Sequence, residues 1–386
     1  MVSQSRPAVA VAPGRVAFFD LQRQQRRMHD DVRARIDAVL VHGQFILGPE
    51  VEQLEQKLAA FAGVPHAIGV SSGRDALMIG LMALGIGPGD AVFVPAFTFA
   101  ATAGAVCSVN ATPVFVDVDP ATFNLDPADL ERAIAEVEAA GELKPRAVIP
   151  VDLYGLPADY DAIGRIAAKH GLTVFSDAAQ SFGGRSGNRR VGGMAPISAT
   201  SFYPTKPLGC YGDGGAILTD DDRIAEAVRT LRSHGRQGTG DVAVRNGITG
   251  RLDTIQAAIL LAKFEIFEEE LARREAIARR YDAGLAGVVG LQARPEGMVS
   301  ASALYTITSD RRDALKAALD AEGIGTALFY RVALHHHPAF AEMGKRPLPV
   351  SERLAETVLS IPMNPDLTDD EVDRVIAAIR RFAELA

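Results

Sequence analysis

The sequence predicts an α/β protein with a mostly parallel sheet, followed by a smaller α+β domain. Between about residues 91 and 220, apolar runs of strand length alternate with helix-like segments, a pattern typical of a parallel sheet covered by helices on both faces. Beyond Gly287 the pattern changes to isolated strand-like and helix-like segments. The 386 residues are 48% hydrophobic and 23% charged, so the chain can bury a large core and form two unequal domains.

The predicted elements follow from the spacing of apolar residues. Strands are predicted over residues 91–95, 113–119, 147–155, 172–177, 199–204, 215–220 and 303–308. Helices are predicted over residues 30–40, 50–61, 75–84, 127–140, 159–170 and 312–322, with one long helix or two successive helices over 252–281. Thr368 and Glu371 have the spacing of a capping box for a last helix. We predict a disordered leader over residues 1–14, a large α/β domain over 15–265 and a small α+β domain over 266–386.

Composition narrows the class of protein. The formal net charge of −8 argues against a nucleic-acid partner, which requires a basic face. Cys107 and Cys210 are far apart, and we expect free thiols in a reducing cytoplasm. The uncharged run 91–116 contains Pro95 and Pro113, which fit a buried strand, loop, helix and strand better than a membrane helix. We therefore expect a soluble cytoplasmic protein with no membrane partner and no secretory signal.

Lys206 has an unusual environment for a lysine. No charged residue lies within six positions on either side of it, and its neighbours are mainly apolar or aromatic. A nucleophilic amine at neutral pH needs a pKa roughly three units below the usual ~10.4, at a cost on the order of 4 kcal/mol that apolar burial can supply. Such a lysine forms Schiff bases with aldehydes. The alternative is a loop lysine that extends to water.

Four further features are typical of a site that binds an aromatic phosphate. Gly73 and Arg74 open a helix after a turn, where backbone amides can hold an anion. Phe99 can stack on a ring, and Ser201 can donate to a phosphate. Asp177 ends a predicted strand, where a carboxylate can keep a pyridine nitrogen protonated. Each feature also has a structural alternative: a capped helix, a core phenylalanine, a strand serine and an N-cap aspartate. Their order along the chain favours the site.

The chain resembles the DegT/DnrJ/StrS family of nucleotide-sugar aminotransferases, which are pyridoxal-phosphate enzymes of fold type I, similar to aspartate aminotransferase. The resemblance extends from about residue 18 to the end. The runs KPLGCYGDGGAI and RLDTIQAAILL are most similar to members that aminate the 3-keto position of a UDP-linked 2-acetamido glucuronate. The other motifs are FILGPEVEQLE, SSGRDAL, PAFTFAATA, PVFVDVDPATFNLDP, IPVDLYG, SDAAQSFGG, SFYPT and SIPMNPDLTDDEV.

The resemblance implies a role for each matching residue around the cofactor. Lys206 would bind pyridoxal 5′-phosphate covalently and move protons, and Asp177 would pair with the pyridine nitrogen. Further contacts would be Gln180 to the ring hydroxyl, Phe99 on the ring face, and Gly73, Arg74 and Ser201 around the phosphate. The family commonly has threonine where this chain has Arg74.

The resemblance also implies a homodimer with shared active sites. Arg251 would lie near the neighbouring subunit's cofactor or substrate, and Arg190 lies in a hairpin that resembles the family's nucleotide-side loop. Thr249 replaces an asparagine of the family pattern, and Arg331 replaces a proline. His335 holds the position of a family histidine and would line the sugar site.

We expect transfer of an amino group from L-glutamate, through pyridoxamine 5′-phosphate, to a keto group, at C3 in the favoured interpretation, of a nucleotide-linked sugar. The product would enter a surface polysaccharide such as O-antigen. Alternatives are amination at C4, a dehydratase, whose family members replace the lysine by histidine, and a catalytically silent regulatory protein. We predict no metal at His335, His336 and His337, because three adjacent histidines cannot converge on one ion and no carboxylate or cysteine flanks them.

Overall fold

The computed structural model of the protein describes residues 14–238, 241–343 and 346–384. The predicted leader therefore lies outside the described residues, except for Gly14. The helices are α1 Leu21–Arg27, α2 His29–His42, α3 Pro49–Ala62, α4 Gly73–Ala83, α5 Ala101–Ser108, α6 Pro127–Ala140, α7 Tyr160–His170, α8 Asp222–Leu231, α9 Thr254–Phe264, α10 Phe267–Leu285, α11 Arg312–Ala321, α12 Pro349–Thr357 and α13 Asp369–Glu384. The strands are β1 His66–Val70, β2 Asp90–Pro95, β3 Thr112–Val116, β4 Lys144–Val148, β5 Thr173–Asp177, β6 Arg185–Ser186, β7 Arg189–Arg190, β8 Ile197–Ser201, β9 Gly215–Thr219, β10 Gly290–Leu291, β11 Met298–Val299, β12 Tyr305–Thr308 and β13 Val358–Ile361.

A seven-stranded sheet forms the centre of the molecule, in the order β1-β9-β8-β5-β4-β2-β3. Only β9 runs antiparallel to its neighbours, and the pairs from β8 to β3 are parallel. Val92 and Val94 pack into one core, whereas Phe93 between them packs into another. Because helices cover both faces, most positions of these strands are buried, including Ser198 and Thr200 of β8. The predicted fold class is confirmed.

The helices begin and end at residues that the sequence makes recognisable. Asp126 and Asp159 accept hydrogen bonds from first-turn amides of α6 and α7, and Gly141 and Gly171 end these helices in the left-handed conformation. This placement agrees with the preferences of helix caps. At α13 the predicted capping box is confirmed: the amide of residue 368 donates to the 371 carboxylate at 2.9 Å, and the reciprocal bond is 3.2 Å.

A second core lies around the antiparallel sheet β10-β12-β13. Ile307 and Leu359 from this sheet pack with Tyr281 of α10 and Ile379 of α13. Val16, from the beginning of the described chain, is buried in the same core. Helix α10 begins at Phe267, and the division of the chain between residues 265 and 266 stays a prediction.

The structure differs from the predicted elements at several places. The strand predicted over 147–155 ends at Val148, because Pro150 has no N–H to continue the ladder, and the chain then makes a 3₁₀ turn over Leu153–Gly155. The elements that were not predicted are strands β1, β10, β11 and β13 and helices α1, α8 and α12. The helical region 252–281 consists of two helices, α9 and α10, which confirms the second of the two predicted alternatives. Across the described residues, the structure contains no helix with the length and apolar character needed to cross a membrane.

Candidate active site

A cavity of about 830 Å³ opens at the carboxyl ends of the central strands. The segments after β1, β2, β5 and β8 form its wall, and residues 328–330 close it from the other side. Ligands of open α/β sheets bind at this edge. The predicted cofactor residues all line the cavity: Gly73, Arg74, Phe99, Asp177, Gln180, Ser201 and Lys206. Folding thus brings together residues separated by more than 130 positions of sequence.

Asp177 is the buried carboxylate of the cavity and is only 5% exposed. It is the last residue of β5, and its carboxylate accepts a hydrogen bond from Thr102 Oγ1 at 2.8 Å and from the amide of Ala179 at 3.2 Å. Burial raises the pKa of Asp177, while these two donors and the Lys206 ammonium oppose the rise. The donors hold the carboxylate in one orientation, in which it can stabilise a cation inside the cavity.

Lys206 lies in a tight turn after β8. Its amide donates to the carbonyl of Tyr203 at 2.9 Å, and the amide of Cys210 returns to the carbonyl of Phe202 at 2.8 Å. Burial lowers the pKa of the Lys206 amine to about 8, although the Asp177 carboxylate acts in the opposite direction. About a tenth of this amine is therefore unprotonated at pH 7, and the unprotonated form is the nucleophile.

The turn before α4 approaches β8 closely enough to exclude any side chain. A Cβ at Gly73 would lie 2.6 Å from Cβ of Ser201, so the position requires glycine. Gly73 and Arg74 form the first turn of α4, where amides have no intrahelical acceptor and attract anions. The Arg74 guanidinium donates to Oγ of Ser108 at 3.0 Å. We call the group of Gly73, Arg74 and Ser201 the Gly73 cradle; the close approach leaves no space for a side chain at position 73.

Gln180 and two aromatic residues form the opposite side of the cavity. Gln180 Oε1 accepts a hydrogen bond from the amide of Tyr154 at 2.9 Å, and its Nε2 lies 3.4 Å from the hydroxyl of Tyr330. The Phe99 ring is 59% exposed, and its centroid lies 6.2 Å from that of Tyr330. An accessible ring at this place can stack against a bound aromatic group.

Three polar residues of the site are not among the site residues predicted from the sequence. Thr102 orients Asp177, as described above. Oγ1 of Thr98, in the cavity wall, is buried without a hydrogen-bond partner among the described residues. Asp152 lies behind the wall, fully buried. The signal for Asp152 is a carboxylate within the apolar run 147–155, near the expected carboxyl end of a strand, whereas single threonines carry no comparable signal.

Asp152 accepts three hydrogen bonds close to Asp177. The donors are the hydroxyls of Ser181 at 2.6 Å and Tyr160 at 2.7 Å, and the amide of Ala158 at 2.8 Å. The amide of Asp152 itself donates to the carbonyl of Asp177 at 3.2 Å. Burial raises the pKa of Asp152 to about 7, with a further contribution from the Asp177 charge. These contacts connect Asp152, in the segment after β4, with Asp177 and Ser181 at and just after the end of β5.

The five predicted substrate residues do not line the cavity of this chain. The Arg190 guanidinium lies 4.1 Å from the ring centroid of Phe61 and pairs with Glu268 at 2.9 Å. Thr249 Oγ1 lies 3.2 Å from a ring nitrogen of His234. Arg251 forms a backbone bridge with β1 and is half-buried, and Arg331 is exposed.

His335 lies outside the cavity, in contrast to the prediction that it lines the sugar site. The amide of Leu334 donates to the carbonyl of Ala96 at 2.8 Å, which holds the segment against the sheet and turns His335 toward Phe115 and α12. Its side chain is 1% exposed, and Nε2 lies 3.1 Å from the Glu352 carboxylate. Burial lowers the pKa of His335, opposed by Glu352.

Known proteins are similar to this chain in sequence and in fold over almost its entire length. The model of the DegT/DnrJ/EryC1/StrS aminotransferase family matches residues 26–380. The chain belongs to this family. A UDP-2-acetamido-2-deoxy-3-oxo-D-glucuronate aminotransferase of Pseudomonas aeruginosa is 47% identical over 94% of this chain and 99% of its own length. A family member from Brucella abortus has a crystal structure that superposes with a TM-score of 0.94, at 48% identity and with 95% and 99% coverage.

The cavity fits the cofactor of the family, pyridoxal 5′-phosphate. A further solved structure, of NtdA from Bacillus subtilis with bound pyridoxamine phosphate, has a TM-score of 0.88 at 30% identity, covering 99% of this chain and 87% of that one. In the present chain the Gly73 cradle, the Lys206 amine, the Asp177 carboxylate and the unpartnered Thr98 hydroxyl face one cavity. The chemistry of these groups suits the cofactor: backbone amides suit a phosphate, an amine suits an aldehyde, and a carboxylate suits a protonated pyridine nitrogen.

Proposed function

We propose that this aminotransferase moves an amino group from L-glutamate to the C3 keto group of a UDP-linked sugar in the cytoplasm, for a surface polysaccharide such as O-antigen. The observation that carries the proposal is the joint presence of Lys206 and Asp177 in one cavity. The 47% identity to an aminotransferase named for a UDP-linked 3-oxo sugar supports the sugar class and the carbon.

The cofactor supplies an electron sink when bound. Each residue around it would have a separate role. Lys206 would attach the cofactor and move the proton, for which a pKa of about 8 suits an amine. Asp177 would hold a proton on the pyridine nitrogen, oriented by Thr102. Gln180 would contact the ring hydroxyl, and Phe99 would cover the ring face.

The phosphate of the cofactor would lie in the cradle at the start of α4. Amides of Gly73 and Arg74 and the hydroxyl of Ser201 would hold it, because these groups meet at the end of the cavity. The Arg74 side chain contributes a positive charge beside this turn, although it also contacts Ser108. This positive charge favours a bound anion even where the guanidinium itself donates no hydrogen bond to it.

We propose a homodimer in which each subunit completes the partner's cavity. An exposed apolar surface supports it: Leu40, Val41, Phe45, Ile46 and Leu47 are each at least 42% exposed. Such a contiguous patch is typical of an interface. The carbonyl of Phe45 accepts from the amide of Thr254 at 3.0 Å, so this surface adjoins the segment that carries Thr249 and Arg251.

The substrate residues that lie outside their own cavity would then act across the interface. Thr249, Arg251 and Arg190 are candidates for contacts to the sugar or the diphosphate in the partner's site. Arg331, which follows Tyr330 of the cavity wall, is a further candidate. Arginine matches diphosphate and carboxylate groups through its planar fork of donors.

Covalent trapping tests the cofactor chemistry. We expect pyridoxal 5′-phosphate to be fixed by borohydride on Lys206 of the wild-type protein, with a peptide mass that identifies the residue. The rate of attachment should rise with pH, reach half of its maximum near pH 8 and level off above that pH, because half of the amine is unprotonated when the pH equals its pKa. Lys206→Ala serves as the control. Absence of a trapped adduct in the wild type would defeat the proposal.

Hybrid dimers test the shared site. Lys206→Ala and Arg251→Ala chains are each expected to be inactive alone. In a mixed dimer, the chain with Lys206 receives Arg251 from its partner, so about a quarter of wild-type activity should return if chains mix randomly. No recovery in verified mixed dimers would place Arg251 in its own subunit's site, and an active Arg251→Ala homodimer would place it outside catalysis.

The substrate is tested by comparing UDP- and dTDP-linked 3-keto and 4-keto sugars with glutamate as donor. We expect the highest kcat/KM with a UDP-linked 3-keto sugar, and nitrogen on C3 of the product by NMR. Faster turnover of 4-keto sugars would mean that the enzyme aminates C4 instead of C3. Conversion of glutamate without turnover of any of these sugars would support the amination chemistry but contradict the proposed substrate.

A further inference from the structure

A second cluster of ligating side chains lies outside the aminotransferase cavity. His335 and His336 lie in a 3₁₀ turn, Leu334–His336, and Glu352 lies in the first turn of α12, 17 positions after His335. None of the three lines the cavity. The ligating atoms of all three lie within 4.8 Å of one another. We refer to these residues as the His-His-Glu cluster.

We propose that the His-His-Glu cluster binds one divalent transition-metal ion, with zinc as the favoured ion. Two imidazoles and one carboxylate are a ligand set that zinc accepts, with solvent completing the coordination. The site would connect the 3₁₀ turn to α12 and would have a structural role rather than a role in amino transfer.

The distances suit a tetrahedral ion. With metal–ligand bonds of about 2.0–2.1 Å, ligand atoms in a tetrahedral site lie about 3.3 Å apart. Glu352 Oε1 lies 3.1 Å from His335 Nε2 and 3.5 Å from His336 Nε2. The Glu352 carboxylate therefore faces both rings, and small shifts of the side chains would place one ion among the three atoms.

The elements that carry the ligands are held independently of any ion. The amide of Leu334 donates to the sheet at Ala96. At the start of α12, the Asp117 carboxylate accepts from the amides of Val350 and Ser351 at 3.0 and 2.8 Å. Pre-positioned ligands reduce the ordering that binding requires. His335 is buried, whereas His336 and Glu352 are more than a third exposed, so an ion can enter from solvent.

The expectation that the histidine run lacks a metal partner rested on the sequence near it. His337 does not join the cluster, since its Nε2 lies 3.3 Å from the carbonyl of Val332. The carboxylate comes instead from α12, which folding places against the turn. Across the described ranges of the chain, this is the only group of three such residues within reach of one another.

Zinc titration of the tag-free, cofactor-loaded enzyme, in competition with a chromophoric chelator, tests the site. We expect one ion per chain in the wild type, and affinity at least about tenfold weaker in His336→Ala and in Glu352→Gln. His337→Ala is the matched control and should bind like the wild type. The same three variants should keep wild-type transamination.

Two further readouts separate a coordinated ion from loose surface binding. Cobalt(II) should give the intense visible bands of a tetrahedral site in the wild type and in His337→Ala, but not in His336→Ala. Zinc should raise the midpoint of thermal unfolding of the wild type more than that of Glu352→Gln. The proposal is overturned if the wild type binds no ion, or if His337→Ala loses as much affinity as His336→Ala.

Discussion

The cavity wall and the face between α10 and α13 use charged residues in opposite ways. In and behind the wall, Lys206, Asp177 and Asp152 are removed from water with few charged partners. On the α10–α13 face, Arg280 pairs with Asp373 in open solvent. Burial without a full ion pair costs free energy and shifts the pKa, whereas an exposed pair contributes little. Substitution of the buried charged residues should therefore change activity or stability more than substitution of the exposed ones.

Lys206→Ala should have the largest effect. Loss of the only amine proposed to attach the cofactor and move the proton should lower kcat by about 10³-fold or more, measured as glutamate-dependent product formation. The fold should persist, because the side chain lines a cavity. Circular dichroism checks this point. Activity of Lys206→Ala within tenfold of the wild type would contradict the expectation that charged residues of the cavity wall matter more than those of the α10–α13 face.

Asp152→Asn should change how stability depends on pH. The folded-state pKa of Asp152 is about 7, above the value of 3.8 for an unperturbed aspartate. The folded state therefore holds this proton more tightly, and its stabilising effect is present below about pH 4 and lost as the pH rises through 7. The loss is at most on the order of 4 kcal/mol.

The measurement is urea unfolding of both proteins at several pH values from 4 to 8. We expect the free energy of unfolding of the wild type to fall relative to that of Asp152→Asn across this range. Parallel profiles for the two proteins would mean that Asp152 keeps its ordinary pKa in the folded state, and would weaken the contrast between wall and surface.

Lys263→Met should have an intermediate effect. This lysine of α9 is 3% exposed, donates to the carbonyl of Gly209 at 2.6 Å, and lies 4.4 Å from the ring centroid of Tyr211. Burial lowers its pKa to about 8. Methionine fills similar volume but leaves the Gly209 carbonyl unpaired, so we expect about 1–3 kcal/mol of destabilisation.

Because Gly209 lies in the turn that carries Lys206, a smaller fall in activity should accompany this loss of stability. Urea unfolding and kcat, measured on the same preparation, check both expectations. Lys263→Met that is as inactive as Lys206→Ala, yet fully folded and loaded with cofactor, would show that Lys263 takes part in the chemistry.

Arg280→Ala should have the smallest effect. Its guanidinium pairs with Asp373 at 2.5 Å and with Asp369 at 3.3 Å, but all three side chains are at least 41% exposed. Exposed pairs are screened by water and salt. The thermal midpoint should therefore match the wild type within error at 0.15 M salt. A clear drop would mean that the surface network stabilises this face more than its exposure suggests.

Local patterns explain which parts of the fold could be predicted. The boundaries of α6, with its aspartate and glycine caps, follow from residues 126–141 alone, and so does the capping box at Thr368. Strand β1 could not be found in the same way, since its place at the sheet edge depends on pairing with β9, about 150 positions later. The strand predicted through Pro150 was wrong because the proline interrupts the ladder, so that only an isolated bridge at Val151 follows β4 before the chain turns.

The sequence by itself determined the alternation that produces a parallel sheet, and the absence of charged residues next to Lys206 in the chain. Both are properties of neighbouring residues. Only the tertiary structure decided that Thr102 orients Asp177, that Asp152 lies behind it, and that Glu352 meets His335. The physical reason is that these contacts act over a few ångströms between segments far apart in the chain, and packing alone chooses which segments meet.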